Sequence, residues 1–378
     1  MRTCLNFDTK RLIKKLNSSK EFYEITSKES NLQINKIYIG KRGRPFSITL
    51  PREINISPEV VGLIVGEGFI GDRHFVFANS NEKAITEILR FLKQFNLPIK
   101  FYLELSIKKQ PKNFINKSKK FWEKYLEINL DRIRLREEFY NITRNGTIHI
   151  IFNNALIAKL LKQIIKDSKK KVENNRNLAI GYLKGILAAE GNINVKKTTN
   201  CVYMVRISAS KQEERDHYKK CLERVGIKLY CKDMPTVSKQ EAKERGWKTT
   251  KGRAGAVIIS KWENFVKILE LDLLNINIEK REKFIKYFVN NKFTKQFLDF
   301  EYFINKRFLM KDAQKYFNLS GRNLSRVMSL RKGGYIKRKE LNNKKFGYTL
   351  TKKYINLYNK IIQEAKLFQI TPSFNSQS

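Results

Sequence analysis

The sequence predicts an α+β protein in which one αββαββα unit occurs twice and a smaller helix–strand unit follows. Three observations carry this reading. A nine-residue motif recurs, the strand and helix patterns after each copy match, and the pattern changes beyond residue 297. VVGLIVGEG occupies residues 60–68 and LKGILAAEG residues 183–191. Both have Gly at the third place, aliphatics at the fourth and fifth, and a small residue at the seventh. Glu then stands at the eighth place and Gly at the ninth. A repeat of this length is the mark of a duplicated structural unit.

Residues 1–54 form an N-terminal extension, with a helix near Lys10–Leu16 and a hairpin around IYIGKRGRPFSITL. Its KRGRP stretch is either a basic turn or an AT-hook core without the leading proline. The first unit spans residues 55–172. After its motif, HFVFANSNEKAITEILRFLKQFNLPIKFYLEL reads as a strand, a polar helix start, an amphipathic helix, a break at Asn96 and another strand. The second unit spans residues 173–296. There YMVRISASKQEERDHYKKCLERVGIKLYCKDM repeats that order, with the break at Gly226. TIHIIFNNALIAKLLKQII in the first unit pairs with AGAVIISKWENFVKILEL in the second, each a strand running into a helix.

The third unit covers residues 297–368. MKDAQKYFNLS reads as a helix, GRNLSRVMSLRKG as a turn and a second helix, and YIKRKELNNKKFGYTLT as two strands around a basic, Asn-rich tip. TKKYINLYNKIIQEAK closes it as a helix, and residues 369–378 form a flexible tail.

The charge balance defines the partner. Seventy-seven Lys and Arg against 36 Asp and Glu give +41, spread through the whole chain and interleaved with 25 Phe and 16 Tyr. Such a surface calls for a polyanion, and tracking many phosphates is its natural use. No apolar run approaches the roughly 20 residues of a membrane helix. Cys4, Cys201, Cys221 and Cys231 form no CxxC pair and no zinc-finger spacing, so they read as buried thiols of a reducing, intracellular compartment. That compartment is the cytoplasm or nucleoid, or an organelle. The Lys, Asn and Ile richness fits an AT-rich genome. Only three histidines occur, His74, His149 and His217. Catalysis then falls to carboxylates, lysines or a metal.

The motif supplies the carboxylates. Gly62 and Gly66 are four residues apart, as are Gly185 and Ala189, so each motif helix has a small-residue face. Two such faces can pack backbone against backbone. This packing brings Glu67 and Glu190 together at the helix C-terminal ends, where like charge and the helix dipoles make both costly. A divalent cation relieves that cost. Oxygen ligands select Mg2+, with Mn2+ or Ca2+ as alternatives, and a nucleic-acid phosphate completes the shell.

With these residues in view, VVGLIVGEG and LKGILAAEG resemble the two motifs of the LAGLIDADG homing endonuclease family in its single-chain form. The resemblance covers residues 55–295. It implies two pseudo-symmetric αββαββα halves forming a DNA-binding saddle, with Glu67 and Glu190 as catalytic residues and metal ligands. It implies a monomer that cuts both strands of double-stranded DNA at a long site. The family's Asp is Glu at both acid positions here, Val65 and Ala188 replace the sixth-place Asp, and Lys184 replaces the second-place Ala. Arg144 and Lys251 or Arg253, which precede matching strands, are candidates for the basic side chains such enzymes place near the cut phosphates. Residues 310–351 resemble a winged helix-turn-helix. Arg322, Ser325, Arg326 and Ser329 line the outer face of its recognition helix, opposite Leu324, Val327 and Met328. Lys337, Arg338, Lys339, Lys344 and Lys345 arm its wing. The competing reading of this unit is a helical appendage with solvated lysines. For the whole chain the rivals are a DNA-binding regulator that has lost cleavage and an intron RNA-splicing maturase.

Overall fold

The structure is a computed structural model. It describes residues 3–17, 21–28, 31–38, 46–106, 110–111, 113–136, 145–229, 255–317, 330–341 and 346–371.

The chain opens with β1 (Leu5–Asp8) and α1 (Thr9–Leu16). The Asp8 carboxylate caps α1 by accepting the Arg11 N–H at 2.6 Å. β2 (Glu21–Lys28), β3 (Asn31–Tyr38) and β4 (Phe46–Pro51) form an antiparallel meander, and β5 (Glu53–Ile56) returns to pair with β1. The predicted helix and hairpin are both present. The hairpin belongs to a larger extension, because β1, β2 and β5 are too short or too polar to show as apolar runs. KRGRP lies outside the described residues.

Next come α2 (Pro58–Glu67), β6 (Gly68–Ile70), β7 (Phe75–Asn79), α3 (Glu82–Lys93) and β8 (Lys100–Ser106). Ser57 Oγ accepts the Val60 N–H at 3.2 Å and Pro58 fills the first turn, so α2 starts where its sequence demands. Asn81 caps α3 in the same way, accepting from Ala84 at 2.9 Å. Asn96 breaks the chain after α3 with a φ of 48°. Between β8 and the next predicted strand the chain adds α4 (Phe114–Leu126) and β9 (Arg132–Arg136), which the repeat pattern did not contain. β10 (Thr147–Phe152) and α5 (Ala155–Asn174) follow. The sheet has the order β6-β7-β10-β8-β9, with β9 parallel to β8 and the other pairings antiparallel. Alternation along β7 and β10 buries Phe75, Phe77, Ile148, Ile150 and Phe152 on one face.

The second copy runs α6 (Arg176–Glu190), β11 (Gly191–Lys196), β12 (Cys201–Ala209) and α7 (Gln212–Arg224). It then continues through β13 (Gly255–Ile259), α8 (Trp262–Glu270) and α9 (Ile278–Phe288). Asn175 caps α6 by accepting from Asn177 and Leu178. β11, β12 and β13 form a three-stranded sheet in that order. Gly226 ends the α7 segment with a φ of 86°, a conformation that favours glycine. Most of the strand expected after it, KLYCKDM, lies outside the described residues.

The chain divides into two compact units. One comprises residues 1–192, 206–258 and 271–277, the other residues 193–205, 259–270 and 278–378. The second contains α10 (Lys292–Leu298), a 3-10 turn (Asp299–Phe303), β14 (Phe308–Leu309), α11 (Met310–Tyr316), β15 (Ile336–Glu340), β16 (Phe346–Leu350) and α12 (Lys352–Leu367). β14, β16 and β15 form an antiparallel sheet with β16 in the middle. Its core is aromatic: Phe297 lies 4.5 Å from Tyr354 between ring centroids, and the buried Tyr354 hydroxyl donates to the Phe297 carbonyl at 2.8 Å.

Beside that core Arg281 grips Glu364 bidentately, Nε on Oε2 at 2.9 Å and Nη2 on Oε1, with Glu364 buried. Arg281→Met strands that carboxylate without its partner. It should lower unfolding free energy by about 3 kcal/mol in urea titration, and an unchanged midpoint would show the pair to be idle.

Candidate functional site

α2 and α6 lie side by side and run parallel. Pro58 and Glu59 meet Gly181, Gly62 meets Gly185, and Gly66 meets Ala189. At Gly62 and Gly185 the contact is main chain on main chain. A Cβ on Gly62 would stand 2.9 Å from the Gly185 Cα, and one on Gly185 would stand 2.1 Å from the Glu59 carbonyl oxygen. Gly181 adds a contact one turn earlier than the motif, which the sequence reading did not include.

This register sets Glu67 and Glu190 at the same end of the helix pair. A Cβ on Gly66, the neighbour of Glu67, would lie 3.4 Å from the Glu190 Cγ. Both acids are half-buried. The Glu67 carboxylate accepts a hydrogen bond from the Asn79 side-chain amide. Asn79 is itself buried, and its Oδ1 accepts the Asn81 N–H at 2.7 Å, so the amide is held from both ends. The sequence reading missed Asn79. The available signal was a polar residue at an inward-facing position of β7.

Gly68 and Gly191 end the two helices, but not through the left-handed turn common after helices. Both are extended, with φ of −82° and −70°. Each helix passes straight into a strand, and the backbone folds so tightly that a Cβ would lie 2.5 Å from the Ile64 carbonyl oxygen or 2.3 Å from that of Leu187. Close approach rather than a special dihedral explains both glycines. Phe69, the next residue, is 59% exposed on β6.

Of the basic candidates, Lys337, Arg338 and Lys339 lie on β15, all three exposed, and Arg338 stacks its guanidinium over the Phe346 ring at 3.9 Å. Arg144, Lys251, Arg253, Arg322, Ser325, Arg326, Ser329, Lys344 and Lys345 lie outside the described residues. Among the described residues no cluster of three or more His, Cys, Asp or Glu is arranged to hold a metal ion. No described helix is long and apolar enough to cross a membrane.

Two histidines gain carboxylates that are remote in sequence. His149 Nδ1 meets the Tyr102 hydroxyl at 2.7 Å, and its Nε2 lies 3.8 Å from Glu104. His217, buried on α7, bonds Glu173 at 2.7 Å. Burial pushes the His217 imidazole below its ordinary value, outweighing the raising effect of Glu173. Burial also acts to raise Glu173, but its hydrogen bond with His217 and the nearby charges hold the carboxyl below its usual range. Both shifts act with one sign. As pH falls through about 6.5 the unfolded chain protonates its histidine before the native one does, and below the ordinary carboxylate range the native Glu173 resists its proton. Stability is therefore lost on acidification. The thermal midpoint should fall between pH 7.5 and 5, and fall less in His217→Gln. An equal fall in the variant would remove His217 from the account.

Comparison with known proteins adds one observation. Residues 177–282 match the LAGLIDADG-like domain. The matched segment contains most of α6, with Gly185, Ala189 and Glu190, and the strands and helices after it. Curated proteins give no match. Among solved structures, I-DmoI in complex with DNA and Mn is similar at 12% identity, covering 57% of this chain and 94% of that one, with a TM-score of 0.33. The complex of I-DmoI with DNA and Ca gives 12% identity, coverage of 56% and 86%, and a TM-score of 0.32. Mesophilic variants of the homing endonuclease I-DmoI give 12%, 58% and 94%, and 0.33.

Proposed function

We propose that the protein is a site-specific double-strand DNA endonuclease. The observation that carries this reading is the in-register packing of α2 on α6, which sets Glu67 and Glu190 at one end of a joint made of backbone. A folding role alone does not call for two acids at adjoining helix C-terminal ends, where the dipoles repel them. The LAGLIDADG-like match over the second motif supports the same class.

The donor set fits Mg2+ or Mn2+. Two carboxylate ligands suit a hard cation whose remaining shell is water and phosphate, and among the described residues no third His, Cys, Asp or Glu joins them. Glu67 and Glu190 would hold the cation, which would supply Lewis-acid stabilisation and a water activated for phosphodiester hydrolysis. The chain's own part is positional. Asn79 fixes the Glu67 carboxylate, the Gly68 and Gly191 turns place a strand directly after each acid, and the net charge of +41 gathers the duplex. In this reading residues 55–172 and 173–296 are two pseudo-symmetric halves of a DNA-binding saddle. Residues 297–368 are a winged-helix reader, with Lys337, Arg338 and Lys339 on its wing. The enzyme acts as a monomer inside the cell.

The test is cleavage of a randomised duplex library with Mg2+ and with EDTA, sequenced at the new ends. Mg2+-dependent cuts at one enriched long site support the nuclease. Enriched binding without cuts indicates a regulator. Neither result on DNA, with binding to structured intron RNA, indicates a maturase.

A further inference from the structure

We propose that β9 is an added phosphate-contacting strip that extends the nucleic-acid surface beyond the paired-acid site, with Glu104 restraining one of its arginines. This rests on the duplex-binding part of the reading above and not on cleavage.

The strand reads RIRLR, with Arg132, Arg134 and Arg136 at every second position. Period two on a strand places all three on one face. β9 lies parallel to β8 in the register Tyr102↔Arg132, Glu104↔Arg134 and Ser106↔Arg136. β10 continues the rows through His149↔Tyr102 and Thr147↔Glu104. These residues belong to the face opposite buried Leu103, Leu105, Ile148 and Ile150, so the arginines extend the open face of the sheet. All three are exposed.

The strand is anchored there. The Phe101 N–H donates to the Asp131 carboxylate at 2.6 Å, and the Asp131 N–H donates to the Phe101 carbonyl at 3.0 Å. Behind β9 in sequence, Trp122 on α4 is fully buried and its indole N–H donates to the Asn145 carbonyl at 2.7 Å. The described residues between β8 and β10 thus hold this strand in place.

Within the rows sits one acid. Glu104 Oε2 lies 2.9 Å from the Arg136 guanidinium and 3.8 Å from His149 Nε2. Among the described residues neither Arg132 nor Arg134 has a carboxylate ion-pair partner. A row of guanidiniums on an open sheet face suits a run of phosphates, which Arg contacts bidentately. Glu104 competes with phosphate for Arg136.

The experiment is duplex affinity against salt for the full chain, the triple variant R132Q/R134Q/R136Q, and E104Q. Thermal melting of each confirms folding. Each lost phosphate contact should lower the log–log salt slope by about 0.9, so the triple variant should lose roughly 2 to 3 in slope and bind more weakly at low salt. E104Q should bind several-fold more tightly and steepen the slope, an opposite change that no loss of fold produces. A triple variant with the parental slope overturns the strip, as does absence of salt-dependent duplex binding in the parent. A parent that binds DNA with the expected variant slopes but never cuts would sustain the strip while overturning the nuclease.

Discussion

Glu67→Gln is expected to leave duplex affinity equal or higher while lowering strand cleavage by about 10³-fold. The substitution keeps shape and length and still offers an oxygen to the Asn79 amide that now holds the carboxylate. It removes one unit of negative charge from a site that must attract both a cation and a phosphate. Affinity therefore loses a repulsion, while hydrolysis loses several kcal/mol of metal-derived stabilisation, at about 1.4 kcal/mol per tenfold in rate. Glu190→Gln should behave alike, because Glu190 stands at the same end of the other motif helix. Single-turnover cleavage at saturating protein, read beside anisotropy, separates the two effects. Retained cleavage would sink the assignment. Lost binding would mean that the acids hold the fold rather than the cation.

Gly185→Val should be the most damaging single change to stability, at about 3 kcal/mol or more. A side chain there meets the Glu59 carbonyl oxygen at 2.1 Å, the Leu63 nitrogen at 2.7 Å and the Gly62 carbonyl carbon at 2.9 Å. All three are backbone atoms of α2 and none can rotate away, so the helices must separate. Against a typical total of roughly 5–15 kcal/mol, the loss would leave a measurable unfolded fraction at 37 °C. Urea unfolding of Gly185→Ala and Gly185→Val should give a graded series. Two unchanged midpoints would contradict the close approach.

The helix pair was legible because its cause is local: small residues four apart and an acid–glycine ending leave a pattern that repeats. The polar start of α3 was legible for the same reason, and Asn81 is the residue that caps it. Asn79 was not, since a buried amide on a strand gains its meaning only from the carboxylate that the fold brings to it. The carboxylates facing His149 and His217 were hidden likewise, as they come from 45 and 44 residues away. α4 and β9 were missed because attention to the repeat treats what lies between matching strands as loop. RIRLR nonetheless carries its own period-two signal. The short strands of the extension, β1 and β5, depend on pairing across the whole extension, and four residues seldom declare themselves alone.

The meeting of α2 and α6 has a consequence for how such proteins diversify. A joint made of main chain and a few small residues holds almost no side-chain code for its partner. A different helix with the same spacing of small residues would meet no bulky side chain where Gly62 and Gly185 touch. The joint is interchangeable, and the sheets behind it are free to vary. Recombination that swaps one motif helix and its strands for those of another gene would yield a hybrid that keeps both acids in place and changes only what one sheet touches.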